Sequence, residues 1–121
     1  MGKKILVFDD DNTLLDVLNI VLCEGGYEIQ TSDSTQDIIE KVSIFNPDII
    51  LMDNYIPNIG GAAAIKMLKS DKRFDHIKII IITSSVNIIS LKNSSGADDY
   101  LRKPFDLSLM EEKIANSFLY S

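Results

Sequence analysis

Five short strand-like runs alternate with five helix-like stretches, and four of the runs end on side chains able to do chemistry. Residues 5–8 lead into Asp9-Asp10-Asp11, residues 49–52 into Asp53, residues 79–82 into Thr83 and Ser84, and residues 99–102 into Lys103. The remaining run, residues 27–31, lies between the first two. A run that is apolar at successive positions has no solvent-facing side, so it reads as a strand buried on both faces of a parallel sheet.

The intervening stretches carry the helical period. Asp11 or Asn12 is placed to cap a helix whose inner stripe is Leu14, Leu18, Val21 and Leu22, and Gly25-Gly26 stops it. Asp33 or Ser34 is expected to open a second helix, with Ile38, Ile39, Val42 and Phe45 inward and Pro47 just past its end. Pro57 and Gly60-Gly61 mark a turn before a third helix through Ile65 and Leu68. Residues 86–94, rich in Val, Ile, Asn and Ser, form a weak fourth helix that Gly96 ends. Asp106 is expected to cap a fifth, with Leu107, Met110, Ile114 and Phe118 on one face. This alternation with right-handed crossovers predicts a doubly wound α/β sandwich that binds ligands at the carboxyl ends of its strands.

Composition narrows the function classes. A hydrophobic share of 45% in 121 residues supports one globular core and argues against disorder. The formal charge of −6 repels nucleic-acid phosphate, so no direct nucleic-acid contact is expected. Cys23 is the one cysteine, so no internal disulfide can form, and a reducing cytoplasm is the expected compartment. The apolar run between Lys4 and Asp9 is too short for a signal peptide or a membrane span.

The residues after the strands suggest one chemistry. Gathered carboxylates repel each other unless a cation joins them, and hard oxygen ligands of this kind suit magnesium. A carboxylate is also a nucleophile that can form an acyl phosphate. Lysine and metal neutralise charge on a phosphoryl group in transfer, and a threonine hydroxyl hydrogen-bonds one of its oxygens. Asp9, Asp10, Asp53, Thr83 and Lys103 supply all of these parts.

Over nearly its whole length the chain resembles the receiver domain of bacterial two-component response regulators, chemotaxis receivers among them. The resemblance rests on residues 5–11, 47–53, 57–61, 80–83 and 96–105, the last reading Gly-Ala-Asp-Asp-Tyr-Leu-Arg-Lys-Pro-Phe. It implies a flavodoxin-like (βα)5 three-layer sandwich whose parallel sheet has the order 2-1-3-4-5. A single receiver domain over residues 1–121 is expected, with no output domain in this chain. Asp53 would be the phosphoacceptor, and Asp9, Asp10, Asp53 and the backbone carbonyl of Tyr55 would hold Mg2+. Thr83 would contact the phosphoryl group, and Lys103 would pair with it or with Asp53. Thr83 and Tyr100 would form the switch, and Pro104 would follow a cis peptide bond. Such a domain is a signalling phosphoacceptor and not an enzyme, although it assists its own phosphorylation and dephosphorylation. Its partners would be a sensor histidine kinase or phosphotransfer protein, and a downstream docking partner or fused output domain.

Two other readings share these residues. Asp9, Asp11 and Thr13 also fit the spacing of the nucleophile motif in haloacid-dehalogenase phosphatases, with Asp9 as nucleophile. A pseudo-receiver, which keeps the fold without taking phosphate, is the other. Gly60 departs from the receiver pattern, where an acidic or amide residue is frequent. The stretch from Thr83 to Gly96 is short against that pattern, which predicts a short, displaced or mobile fourth helix. Tyr55 is expected to overhang the site and shield an acyl phosphate from water. His76 is read as structural and Cys23 as helix packing.

Overall fold

The computed structural model describes residues 2–119; Met1, Tyr120 and Ser121, the ends of the expected domain, lie outside the described residues. Strands β1 (Lys4–Phe8), β2 (Glu28–Ser32), β3 (Ile49–Asp53), β4 (Lys78–Thr83) and β5 (Asp99–Arg102) alternate with five helices. These are α1 (Asn12–Glu24), α2 (Ile38–Phe45), α3 (Gly61–Lys69), α4 (Ile88–Ser95) and α5 (Leu107–Leu119). All pairings are parallel and the order is β2-β1-β3-β4-β5, as expected. The chain runs outward from β1 to β2 and then crosses back to β3, so β1 and β3 flank the point where strand order reverses.

Side-chain alternation along the three central strands divides the core in two. Leu6, Phe8, Ile50, Met52, Ile79 and Ile81 meet Ile38 and Val42 of α2 and Ile65 and Leu68 of α3. Ile5, Val7, Ile49, Leu51, Ile80 and Ile82 meet Leu15, Leu18 and Leu22 of α1 and Met110 and Ile114 of α5. Each large aliphatic side chain taken fully out of water contributes about 1.5–3 kcal/mol. The residues that follow β1, β3 and β4 therefore stand on a platform anchored from both faces.

Away from the central strands the structure corrects several expectations. β2 is largely exposed because an edge strand has one neighbour. Its pairing, Lys4 opposite Glu28 through Phe8 opposite Ser32, sets it one residue later than the run 27–31. α2 begins at Ile38, not near Asp33 or Ser34: Ser34 Oγ accepts the Gln36 N–H at 3.3 Å within a local turn, and the neighbouring hydroxyls bond within and across loops. Ser32 Oγ donates to the Ser34 carbonyl at 2.8 Å, Thr35 Oγ1 donates to the Pro57 carbonyl at 3.1 Å, and Asp37 takes a left-handed backbone with φ 57°. In α1 the cap is Asp11, whose Oδ1 accepts the Leu14 N–H at 3.2 Å. The buried stripe of that helix is Leu15, Leu18 and Leu22, so Cys23 is exposed and outside the packing. His76 Nε2 meets Asn46 Oδ1 at 3.0 Å on the surface. α4 has eight residues, little more than two turns, and is short as expected. No helix among the described residues is long and apolar enough to cross a membrane.

Candidate functional site

Parallel strands share one carboxyl edge, so Asp9, Asp53, Thr83 and Lys103 arrive together. Register keeps them level, with Phe8 opposite Met52, Asp53 opposite Ile82 and Thr83 opposite Arg102. One carboxylate oxygen from each of Asp9, Asp10 and Asp53 lies within 4.8 Å of the others. Asp9 and Asp53 are 0% and 3% exposed, whereas Asp10 is open to solvent. Lys103 Nζ sits between the buried acids, 2.8 Å from Asp9 Oδ2 and 3.2 Å from Asp53 Oδ1.

The electrostatics follow from that crowding. Burial, then the charge of Asp9, raises the Asp53 carboxyl above its ordinary pKa, and Lys103 opposes this without cancelling it. Burial also works against the charge on Lys103, yet the contacts with Asp9 and Asp53 outweigh it and raise the ammonium pKa. Three carboxylates face one ammonium, which leaves the pocket short of two positive charges. Asp9 Oδ1 accepts the Asp11 N–H at 2.9 Å. Asp9 Oδ2 is fully buried and meets the Lys103 ammonium at 2.8 Å. All-oxygen donors gathered within 4.8 Å and a missing double charge fit a hard divalent cation that keeps part of its water.

The loops around this cluster are held at short range. Asn54 donates its N–H to the Ile82 carbonyl at 2.9 Å and accepts the Gly61 N–H at 2.9 Å. A Cβ on Gly61 would overlap the Asp53 carbonyl and stand 2.8 Å from Asn54 Cα, so this approach requires glycine. Gly60 has more room, with its nearest neighbour 3.4 Å from a built Cβ. The Tyr55 ring is 62% exposed. Thr83 is fully buried, and its Oγ1 accepts the Ser85 N–H at 3.1 Å, which leaves the hydroxyl hydrogen to donate. Lys103 donates its N–H to the Thr83 carbonyl at 3.0 Å, and the Lys103–Pro104 bond is cis.

Other residues singled out from the sequence stand apart. Tyr100 is half-buried against the α2–α3 side of the core, with Lys113 Nζ 4.8 Å from its ring centroid. Asp11 is occupied as the α1 cap and Thr13 is exposed in the first turn, so neither joins the acids. The phosphatase spacing thus does not assemble into a site. Thr35, which the sequence reading passed over, is buried and bonds to the loop after β3. A threonine inside a polar stretch gives no periodic signal that would have marked it.

The response regulator receiver domain family matches residues 5–115. The CAI-1 autoinducer sensor kinase/phosphatase CqsS of Vibrio cholerae is 30% identical over 116 residues, which are 93% of this chain and 17% of that protein. The DNA-binding response regulator MtrA of Mycobacterium tuberculosis is 32% identical over 105 residues, 87% of this chain and 46% of MtrA. The chain therefore spans less than half the length of these curated relatives. Among solved structures, a CheY-like response regulator receiver domain protein from Methanospirillum hungatei is similar with a TM-score of 0.82 at 25% identity, covering 100% of both chains. The chemotaxis response regulator CheY4 of Vibrio cholerae has a TM-score of 0.89 at 20% identity, covering 97% of this chain and 99% of its own, which is a likeness of fold. A match that runs from the first strand into the last helix, over an acid pocket at the strand ends, makes this chain a member of the response regulator receiver domain family of two-component signal transduction.

Proposed function

We propose that Asp53 accepts a phosphoryl group from a phosphohistidine of a partner protein, with Asp9, Asp10, Asp53 and the Tyr55 carbonyl holding Mg2+ for the step. The observation that carries this reading is the buried Asp9–Lys103–Asp53 arrangement beside open Asp10, two positive charges short. Bound there, magnesium would neutralise charge on the phosphoryl oxygens. A carboxylate oxygen of Asp53 bonds to phosphorus as the donor's N–P bond breaks. The product is an acyl phosphate, and the released imidazole takes a proton from solvent. Lys103, already 3.2 Å from Asp53 Oδ1, stays within reach of the new phosphoryl oxygens. Thr83 donates its free hydroxyl hydrogen to one of them, and Tyr100 follows that movement as the second half of the switch.

The partners follow from the same chemistry. A sensor histidine kinase or phosphotransfer protein would supply the group in the cytoplasm. A docking partner or fused output domain would read the changed surface of α4, β5 and α5. By their names, one relative is a sensor kinase/phosphatase and another a DNA-binding response regulator, so receivers of this type serve in both settings. The domain would also promote its own phosphorylation from small donors and its own hydrolysis. The exposed Tyr55 ring would slow hydrolysis by shielding the acyl phosphate.

The test is incubation with acetyl phosphate and Mg2+, read by intact mass. Gain of one phosphoryl group, lost in Asp53→Ala, supports the reading. Labelling that persists in Asp53→Ala and disappears in Asp9→Asn would move the nucleophile to Asp9. No uptake at saturating donor would make the chain a pseudo-receiver.

A further inference from the structure

Thr35 ties together two loops that are neighbours at the carboxyl edge of the sheet. It is 2% exposed, although it lies in the polar stretch between β2 and α2. Its N–H donates to the Pro57 carbonyl at 3.2 Å, and its hydroxyl donates to the same carbonyl at 3.1 Å. The hydroxyl oxygen accepts the Ile59 N–H at 2.9 Å. Pro57 and Ile59 belong to the loop between β3 and α3, which carries Tyr55.

Both joined loops hold backbone that needs support. Asp37 on one side and Asn58 on the other have φ of 57° and 85°, and Asn58 lies between the two residues that Thr35 grips. Left-handed backbone at residues other than glycine persists where surrounding contacts over-determine it. The β2–α2 loop is anchored in turn, because Lys41 Nζ of α2 donates to Ser32 Oγ at 2.8 Å and to the Ser34 carbonyl at 3.5 Å. At its start the β3–α3 loop is fixed by Asn54, and Ile56 is buried in the core. Tyr55 is therefore suspended between Asn54 and the pair that Thr35 holds.

We propose that Thr35 is a positioning residue for the cation site, a role that rests on the functional reading above. Its hydroxyl fixes the β3–α3 loop so that the Tyr55 carbonyl is presented to Asp9, Asp10 and Asp53. Coupling of this kind is reciprocal: if the hydroxyl holds the loop in its binding-competent form, a bound cation must strengthen the hold of Thr35 on Ile59. A threonine that only fills space would show neither effect.

The experiment is calorimetric titration of the full chain with MgCl2, beside urea unfolding of each variant. Thr35→Val keeps the shape and removes every hydroxyl bond to Pro57 and Ile59; it is expected to weaken Mg2+ binding about tenfold. Thr35→Ser keeps the hydroxyl and is expected to bind within about twofold of the parent chain. Ile114→Val, in the core on the other side of the sheet, is expected to lower stability and leave the affinity unchanged. In the parent chain, Mg2+ is expected to slow hydrogen exchange at the Ile59 amide. Unchanged affinity in Thr35→Val, with normal binding by the parent chain, overturns the proposal and leaves the phosphoacceptor reading standing. Should Thr35→Val fail to fold, Ile59 exchange decides: equal rates with and without saturating Mg2+ overturn it. Absence of Mg2+ binding by the parent chain removes both readings.

Discussion

The acid corner and the fourth-helix corner share one sheet edge and are built to opposite standards. At the ends of β1, β3 and β5, two carboxylates are buried, one ammonium is clamped between them, and a glycine is pressed against the Asp53 carbonyl. At the end of β4, α4 has eight residues, no side-chain cap, and buries only Ile88 and Ser95. Val86 and Ile89 face solvent there. Chemistry needs groups held in place before the reaction, whereas signalling needs an element that a modest new interaction can rebalance. One edge supplies both, with Thr83 at the seam.

Changes at the tight corner should be severe, and the severest is at the proposed acceptor. Asp53→Ala is expected to abolish phosphate uptake from acetyl phosphate while the chain stays folded, checked by intact mass and circular dichroism. Next, Gly61→Ala is expected to cost about 3 kcal/mol, because its Cβ meets backbone that cannot yield. Gly60→Ala should stay within about 0.5 kcal/mol. Urea midpoints that fall together for the two glycines would break the contrast within this loop.

Lys103→Met leaves two buried carboxylates without their counter-charge. Without divalent cation it should cost about 2 kcal/mol, less than for a wholly buried pair because the lysine side chain is 25% exposed, and Mg2+ should reduce the loss. Asp53 also gives a pH signature. Its raised pKa means that the folded chain holds the proton more tightly than the unfolded chain does. Without divalent cation, stability is thus expected to fall as pH rises from about 4 through the raised folded-state value. Asp53→Asn should flatten that limb and raise the melting temperature at neutral pH; a parallel profile would remove the electrostatic strain. Smallest of all, Val86→Ser should change stability by less than about 0.5 kcal/mol and leave uptake unchanged. A loss of uptake there would show the two corners to be one.

The sequence made the tight corner easier to read than its surroundings. Apolar runs ending at Asp9, Asp53 and Thr83 mark both strand and candidate site, because a buried parallel strand has no polar face to blur its end; Lys103 instead follows the mixed edge strand Asp99–Arg102. The start of α2 was misplaced because Asp33 and Ser34 look like caps, while the hydroxyls of Ser32 and Thr35 bond within and across loops. Such bonds depend on what tertiary structure brings alongside, and no local period records them. The expected packing of Cys23 fails because one residue beyond Leu22 the helix has turned away from the Leu15–Leu18–Leu22 stripe. Asp11 and Asn12 competed as caps, and only geometry separates neighbours of like chemistry.

Ser85 is held from both sides, its N–H by the Thr83 hydroxyl at 3.1 Å and its carbonyl by the exposed Arg102 guanidinium at 2.9 Å. On the proposed mechanism, drawing Thr83 toward a phosphoryl oxygen exchanges the first of these bonds for a new one. A single neutral hydrogen bond is worth about 1 kcal/mol, so by itself it would leave roughly a sixth of unphosphorylated molecules in the alternative arrangement. A latch this light would make a leaky signal, in which phosphate shifts the odds of an arrangement that the resting chain would already sample.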